Sequence, residues 1–165
     1  GAYGGEMKDV VKEAVVMKPD GEILRLTKEE LELGYRTSVI ARKGYLVISA
    51  LLELKEGEAE VIRARMQELK EARTSKQPLE YASAGSTFKR PEGYFAGKLI
   101  MDAGLRGFTV GGAQVSEKHC GFVINRGGAT AQNVMDLVRQ VQNEVKKQFG
   151  VDLELEVKLL GFADR

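Results

Sequence analysis

The chain has 165 residues, of which 43% are hydrophobic and 30% are charged. These values are typical of a globular protein with one ordinary domain or two small ones, and they exclude a disordered or fibrous chain. The net charge of +1 argues against binding of nucleic acid through bulk positive charge. No apolar run approaches the roughly 20 residues that span a bilayer, so no membrane partner is expected. The single cysteine, Cys120, excludes an intramolecular disulfide and favours a reducing compartment such as the cytoplasm.

The first predicted element is a β-hairpin. Residues 13–26 hold two apolar-rich runs on either side of Asp20-Gly21, and a glycine at such a place tolerates the positive φ of a tight turn. Thr27 and Glu30 follow with the spacing of a helix capping box, so a short helix is expected to begin there.

A strand and a helix are predicted next. Residues 45–55 are dense in β-branched and apolar side chains, which indicates a buried strand. Over residues 58–72 the apolar side chains recur at helical spacing with charges between them, which predicts an amphipathic helix. Ser75 and Pro78 interrupt this pattern, and we place a domain boundary there.

The second half predicts a mixture of helices and strands. The segment EYASAGSTFKRPEGY, residues 80–94, has the composition of a turn. The elements expected after it are a helix over 94–103 that ends at Gly104, strands over 108–114 and 120–125, a long helix capped by Thr130, and a strand of alternating polarity over 153–158. Together these elements indicate an α+β fold in two lobes.

Taken singly, the candidate chemical residues are weak signals. Ser86 lies in a Gly/Ser-rich segment without a nucleophile-elbow motif, so a role in a turn is its default interpretation. His119 is the only histidine, and too few Cys and His residues are present for a zinc site, so we predict no metal. By default Cys120 is a small core residue, Arg36 a solvated helix-end cation and Glu156 a solvent-facing strand residue.

In order and spacing, several motifs together resemble one family. They are GAYGGE at 1–6, GYRTS at 34–38, KQPLEYASAGSTFKRP at 76–91, AGLRGFTVGGAQVSEKHCGFVIN at 103–125 and LEVKLLG at 155–161. This set resembles the UDP-N-acetylenolpyruvoylglucosamine reductase (MurB) family of peptidoglycan synthesis. The compact region around Ser86 resembles the short type, which lacks a substrate-closing loop.

The resemblance implies a flavoenzyme that uses FAD and NADPH to reduce the enolpyruvyl group of a UDP-sugar. It implies that Ser86 is the general acid, that Arg36 binds the substrate carboxylate and that Glu156 is an essential glutamate. Glu156 could stabilise the enolate only if burial kept it protonated.

The resemblance also implies two sets of binding residues. The flavin-binding residues would be Gly1, Ala2, Tyr3, Gly4, Gly5 and Lys158. The substrate-binding residues would be Tyr35, Lys76, Arg90, Gln114, Lys118 and Asn125.

The same resemblance implies a division of the chain. Residues 1–75 would be the C-terminal part of the FAD-binding domain, 76–160 the substrate-binding domain and 161–165 a tail. The family's N-terminal FAD-binding lobe would be missing, so the isolated chain is expected to bind FAD poorly. Two alternatives of other classes remain at this stage: a non-catalytic nucleotide- or nucleic-acid-binding module, and a scaffold without a ligand.

Overall fold

The structure is a computed structural model that describes residues 3–161. These residues fall into two compact units, residues 3–69 and residues 70–161. Both units contain antiparallel β-sheet and helices, so the predicted α+β fold is confirmed. Gly1, Ala2 and the end of the tail, residues 162–165, lie outside the described residues.

The first unit is built on a three-stranded antiparallel sheet. Its elements in chain order are a 3-10 helix Met7–Asp9, β1 Val11–Met17, β2 Ile23–Thr27, α1 Val39–Lys43 and β3 Leu46–Leu52, followed by α2 Ala59–Lys76, which continues into the second unit. The sheet order is β2-β1-β3. The hairpin prediction is confirmed, because β1 and β2 pair across a turn in which Gly21 has φ +89°.

The helix predicted at Thr27 does not form, although its capping hydrogen bonds do. The Thr27 amide donates to the Glu30 carboxylate at 2.8 Å, and the Glu30 amide donates to Thr27 Oγ1 at 3.4 Å. Glu32 then adopts φ +45°, which lies outside the helical region. One turn is too short to be stable as a helix, and helix α1 begins only after Ser38, whose side chain accepts from the Ala41 amide.

The prediction for β3 is right in type and wrong in burial, and the prediction for α2 is right in type but ends too early. All seven residues of β3 are exposed, and its large apolar side chains keep between 45% and 59% of their surface accessible. No residue of α2 is buried either, and the helix continues through Ser75 to Lys76 rather than ending before them. Strand β3 lies at the edge of its sheet, and no described residue buries its side chains.

The second unit is a four-stranded antiparallel sheet covered by two helices. Its elements are β4 Ala82–Ser86, α3 Ala96–Asp102, β5 Thr109–Val110, β6 Ala113–Val115, β7 Phe122–Asn125 and α4 Ala131–Phe149, and the sheet order is β4-β7-β6-β5. Helix α4 begins with the predicted cap, because Thr130 accepts from the Asn133 amide, and its buried face packs into the main core. Leu137, Val138 and Val141 on that face are fully buried.

Three predictions in this unit need correction. The segment around Ser86 is a strand, β4, because its backbone pairs with β7. The strand predicted over 108–114 is a hairpin of two short strands with a turn at Gly111, whose φ is +56°. The strand predicted over 153–158 is reduced to one β-bridge between Phe88 and Leu155. Within residues 3–161, no helix combines the length and apolar character needed to cross a membrane.

Candidate functional site

Ser86 is the last residue of β4 and its side chain is exposed. The Ser86 hydroxyl donates a long hydrogen bond, 3.4 Å, to the Phe88 carbonyl. The β4–β7 ladder is irregular between Ser83 and Ser86, and Gly85 takes φ +88° within that interval. The backbone pairing of Ser86 with Phe122 on β7 therefore determines where the hydroxyl lies.

Thr87 connects Ser86 to the segment that carries Glu156. The Glu156 amide donates to the Thr87 carbonyl at 2.9 Å. The Thr87 amide donates to the Gly121 carbonyl at 2.9 Å, and Thr87 Oγ1 accepts from the Val123 amide at 3.0 Å. Two of the three residues predicted to be catalytic thus lie on adjoining pieces of backbone, joined by a threonine that is only 3% exposed.

Lys89 is a positively charged residue close to Glu156. Lys89 forms an ion pair with Glu154 at 2.9 Å. The hydrogen bond to Glu154 raises the pKa of Lys89, and the charges of Glu154 and Glu156 add to that effect. Oε2 of Glu156 is buried from solvent. The site therefore combines a hydroxyl, a carboxylate with a buried oxygen and a cation that remains protonated at neutral pH.

Arg90 presents its charge on an aromatic surface. Its guanidinium lies 4.0 Å from the centre of the Phe95 ring, and its Nε donates to the Tyr94 carbonyl at 3.3 Å. Both aromatic side chains are largely exposed. Stacking and a backbone contact restrict the guanidinium while leaving the cation accessible, an arrangement that suits binding of an anion.

A small cavity of about 140 Å³ lies on the sheet of the second unit. Gln114 and Lys118, both predicted to bind substrate, line it. Gln114 donates to the Gly107 carbonyl at 3.1 Å, and Lys118 donates to the Thr74 carbonyl at 2.9 Å. Both side chains are therefore held in place by backbone contacts.

Tyr81 and Arg126 line the same cavity and were not predicted from the sequence. The Arg126 guanidinium lies 4.8 Å from the centre of the Tyr81 ring and donates a hydrogen bond to its hydroxyl. Nothing in the local sequence links these two residues, because they are brought together only by the pairing of β4 with β7.

The remaining predicted residues of this unit lie apart from the cavity lining. Asn125 uses its side-chain oxygen to accept from the Gly127 amide at 2.9 Å and the Ala129 amide at 3.2 Å, so it shapes the loop before α4. Lys76 is exposed at the end of α2, and Lys158 is exposed in the C-terminal segment.

The first unit holds a cavity of about 340 Å³ that brings two distant segments together. Tyr3, Gly4 and Gly5 of the predicted flavin-binding stretch line it, and so do Tyr35 and Arg36. Gly1 and Ala2 of that stretch lie outside the described residues.

The backbone of this cavity is unusual at two non-glycine residues. Tyr3 has φ +52° and Arg36 has φ +56°. Arg36 lies at the tip of a tight turn, which Gly34 and Thr37 close with two backbone hydrogen bonds of 3.1 and 3.3 Å. Positive φ costs energy for residues other than glycine and is concentrated at functional sites, which supports this cavity as a candidate binding site.

The wall of this cavity is suited to a flat ring system. Gly4 and Gly5 contribute backbone rather than side chains to its wall, so a flat ring could approach main-chain amides there. Its volume is at the lower end of the roughly 300–1,000 Å³ typical of ligand sites, so it can enclose one ring system rather than a whole dinucleotide. Glu6 pairs with Lys8 at 2.6 Å on the same wall, and this hydrogen bond raises the pKa of Lys8.

The cysteine and histidine residues form no metal site in the described structure. Cys120 is buried in the main core, as predicted. Across residues 3–161, no three His, Cys, Asp or Glu side chains are grouped closely enough to hold a metal ion.

Comparisons with known proteins point to one family. The sequence profile described as "UDP-N-acetylenolpyruvoylglucosamine reductase, C-terminal domain" matches residues 77–160. Proteins named UDP-N-acetylenolpyruvoylglucosamine reductase from Lachnoclostridium phytofermentans and Clostridium botulinum are 63% and 60% identical to the chain over 161 residues. These matches cover 98% of the chain and 52% and 53% of the two relatives.

A solved structure agrees with the sequence relatives. The crystal structure of UDP-N-acetylenolpyruvylglucosamine reductase (MurB) from Thermus caldophilus has a TM-score of 0.80 and 40% identity, and the match covers 94% of this chain and 56% of that one. The chain thus spans about half the length of the curated relatives that it matches. On this evidence the chain belongs to the UDP-N-acetylenolpyruvoylglucosamine reductase family, with the C-terminal domain of that family at residues 77–160.

Proposed function

We propose that the full-length protein reduces the enolpyruvyl group of UDP-N-acetylglucosamine-enolpyruvate to give UDP-N-acetylmuramate, a step of peptidoglycan synthesis. The observation that carries the proposal is the bond from the Glu156 amide to Thr87, the residue that follows Ser86. This bond joins the segment of Ser86, which the family resemblance implies is the general acid, to the segment of Glu156, which it implies is the essential glutamate. The names of the close relatives support the same activity.

Ser86 is proposed to supply the proton. Hydride addition to the terminal carbon of the enolpyruvyl group leaves electron density on the neighbouring carbon and its carboxylate. Serine is a very weak acid, but this enolate is a strong base, so a correctly placed hydroxyl can donate to it. The Ser86 hydroxyl is exposed and its hydrogen bond to the Phe88 carbonyl is long, 3.4 Å, so the hydroxyl can turn toward a substrate.

Arg36 and Glu156 are proposed to stabilise the negative charge that develops. The planar guanidinium of Arg36 can bind the substrate carboxylate through two hydrogen bonds. Glu156 would have to be protonated to donate to the enolate, because an ionised carboxylate would repel it. Its Oε2 is buried from solvent.

The UDP-sugar is proposed to contact the polar and cationic residues around the second unit. Arg90 and Lys76 would bind the diphosphate or the sugar, and Gln114, Lys118 and Asn125 would lie near the UDP group. Tyr35 would line the substrate pocket beside Arg36, whose guanidinium lies 5.7 Å from the centre of its ring. The stacking of Arg90 on Phe95 supports the assignment of Arg90, because it keeps the charge accessible.

FAD and NADPH are the proposed cofactors. When bound, FAD supplies the hydride that reduces the double bond, and NADPH supplies the electrons that restore the reduced cofactor. Tyr3, Gly4 and Gly5 would contact the ring system through the wall of the 340 Å³ cavity, and Gly1, Ala2 and Lys158 are proposed to belong to the same binding set.

The proposal includes a division of the chain into domains. Residues 1–75 would contribute to the FAD-binding domain, 76–160 would form the substrate-binding domain and 161–165 a tail. The family's N-terminal FAD-binding lobe is the proposed partner of the first unit, and the exposed apolar residues of β3 support it. Without that lobe the 165-residue chain should bind FAD weakly. We propose a cytoplasmic location, because the single cysteine, Cys120, fits a reducing compartment.

The test is to replace Ser86 by alanine in the full-length protein and to follow each half-reaction by flavin absorbance. NADPH should still reduce the flavin, whereas reoxidation by the enolpyruvyl substrate should slow by roughly 10²–10⁴-fold, the usual contribution of a general acid. Ser83→Ala is the matched control, since Ser83 is another exposed serine on β4. Normal reoxidation in Ser86→Ala would show that the proton comes from elsewhere.

A further inference from the structure

His119, the only histidine of the chain, is exposed to solvent and lies next to the strand pair formed by β4 and β7. Its ring lies against the backbone of two glycines, Gly97 on α3 and Gly121 before β7. A Cβ built on Gly97 would be 3.2 Å from His119 Cε1, and one on Gly121 would be 2.9 Å from the same atom. The edge of the ring also meets the Phe122 ring, with centroids 5.0 Å apart at 70°. These contacts restrict the imidazole on one side and leave its other side exposed.

One ring nitrogen of His119 contacts the backbone of the β4–β7 pair. The Gly121 amide donates to His119 Nδ1 at 3.0 Å, so Nδ1 acts as the acceptor in this contact. The carbonyl of the same residue, Gly121, accepts from the Thr87 amide at 2.9 Å. The next residue, Phe122, is the pairing partner of Ser86. His119 is therefore two hydrogen bonds away from the residue that follows Ser86.

We propose that His119 is a positioning residue that holds the turn at Gly121 so that the Ser86 hydroxyl is correctly placed; the inference rests on the function proposed above for Ser86. The β4–β7 ladder is irregular between Ser83 and Ser86, so the end of β4 depends on the pairing of Ser86 with Phe122 and on the hydrogen bonds of Thr87, both of which adjoin the turn at Gly121. The Gly121 carbonyl that accepts from Thr87 lies on the next peptide plane, and the Phe122 amide of that plane donates to the His119 carbonyl at 3.0 Å, so His119 contacts both planes of the turn. Loss of the Nδ1 acceptor would release this turn and displace Ser86.

The test compares two substitutions of nearly equal shape in the full-length protein. His119→Asn keeps an acceptor, because the Asn side-chain oxygen can replace Nδ1, whereas His119→Leu has none. His119→Leu should slow flavin reoxidation by the enolpyruvyl substrate by roughly 10- to 100-fold, since misplacement by about 1 Å has effects of that size. Flavin reduction by NADPH should be unchanged in both variants, and His119→Asn should recover most of the reoxidation rate. Equal rates in the two variants, whether both normal or both slow, would overturn the proposal.

Two further measurements separate positioning from general damage. Amide hydrogen exchange in the protein without substrate should be faster at Gly121 and Thr87 in His119→Leu and unchanged in His119→Asn. In a Ser86→Ala background, His119→Leu should cause no further loss of reoxidation rate, because its effect passes through Ser86. An additional loss there, or unchanged exchange, would contradict the inference.

The Ser86→Ala variant distinguishes failure of the proposed function from failure of the proposed role of His119. Normal reoxidation in Ser86→Ala would refute the proposed role of Ser86. It would also refute the proposed effect of the Gly121 turn on catalysis. Collapse of reoxidation in Ser86→Ala together with a normal His119→Leu variant would refute only the role of His119.

Discussion

Thr87→Val tests whether the hydroxyl of Thr87 stabilises the second unit. Valine has the shape of threonine, so the substitution removes one oxygen and leaves the packing volume almost unchanged. Thr87 is 3% exposed, and its Oγ1 is the acceptor for the Val123 amide at 3.0 Å. The backbone bonds of Thr87 to Gly121 and Glu156 remain available to valine.

The expected cost follows from the buried amide that loses its acceptor. Val123 is 7% exposed, so water cannot readily replace the missing oxygen. A buried donor left without a partner costs about 1–3 kcal/mol, and we expect the free energy of unfolding to fall by that amount. Thr87→Ser keeps the oxygen and loses one methyl group, which costs about 1 kcal/mol by lost burial alone.

The assay is urea unfolding followed by circular dichroism, with amide hydrogen exchange at Val123 as a local measure. Exchange at Val123 should be faster in Thr87→Val and near the wild-type rate in Thr87→Ser. Thr109→Val, at an exposed threonine on β5, should change stability by less than about 0.5 kcal/mol. Wild-type stability together with wild-type exchange at Val123 in Thr87→Val would refute the reasoning.

Two other predictions concern packing and charge. Leu137→Ala should lower the free energy of unfolding by about 2–5 kcal/mol, because Leu137 is fully buried on α4. Gln140→Ala, on the exposed face of the same helix, should change it by less than about 0.5 kcal/mol. Equal urea midpoints for the two variants would contradict this prediction. The hydrogen bond that Lys89 donates to Glu154 raises the pKa of Lys89 above 10.5, so this pair stabilises the fold at lower pH and the contribution is lost as pH rises through the raised pKa. Glu154→Gln should lower the pKa of Lys89 toward 10.5 in an NMR titration of its side chain, and an unchanged value would contradict the assignment.

Local sequence patterns predicted the elements whose stability is local. The turn at Gly21 and the cap at Thr130 depend on residues a few positions apart, and the structure has both. The capping pair at Thr27 shows the limit of such patterns. Its two hydrogen bonds form, yet a single turn does not become a helix, because a helix of that length needs tertiary packing to persist.

Burial was the least predictable property of the first unit. The apolar pattern of residues 45–55 predicted a buried strand, but burial depends on what covers a strand, which its own sequence does not encode. Strand β3 lies at a sheet edge with its side chains exposed. The helical spacing of apolar residues in α2 predicted an amphipathic helix. The helix forms, but none of its residues is buried.

The sequence by itself determined the fold class, the hairpin, the long helix and the resemblance that names the family, because these depend on short-range periodicity and on ordered motifs. Tertiary structure alone decided the surroundings of Ser86. Its segment reads as a turn by composition and becomes a strand only because β7 satisfies its backbone hydrogen bonds. The contacts of Thr87 with Glu156 and of His119 with Gly121 have the same origin, since hydrogen bonds between distant parts of a chain form only when the fold brings their donors and acceptors together.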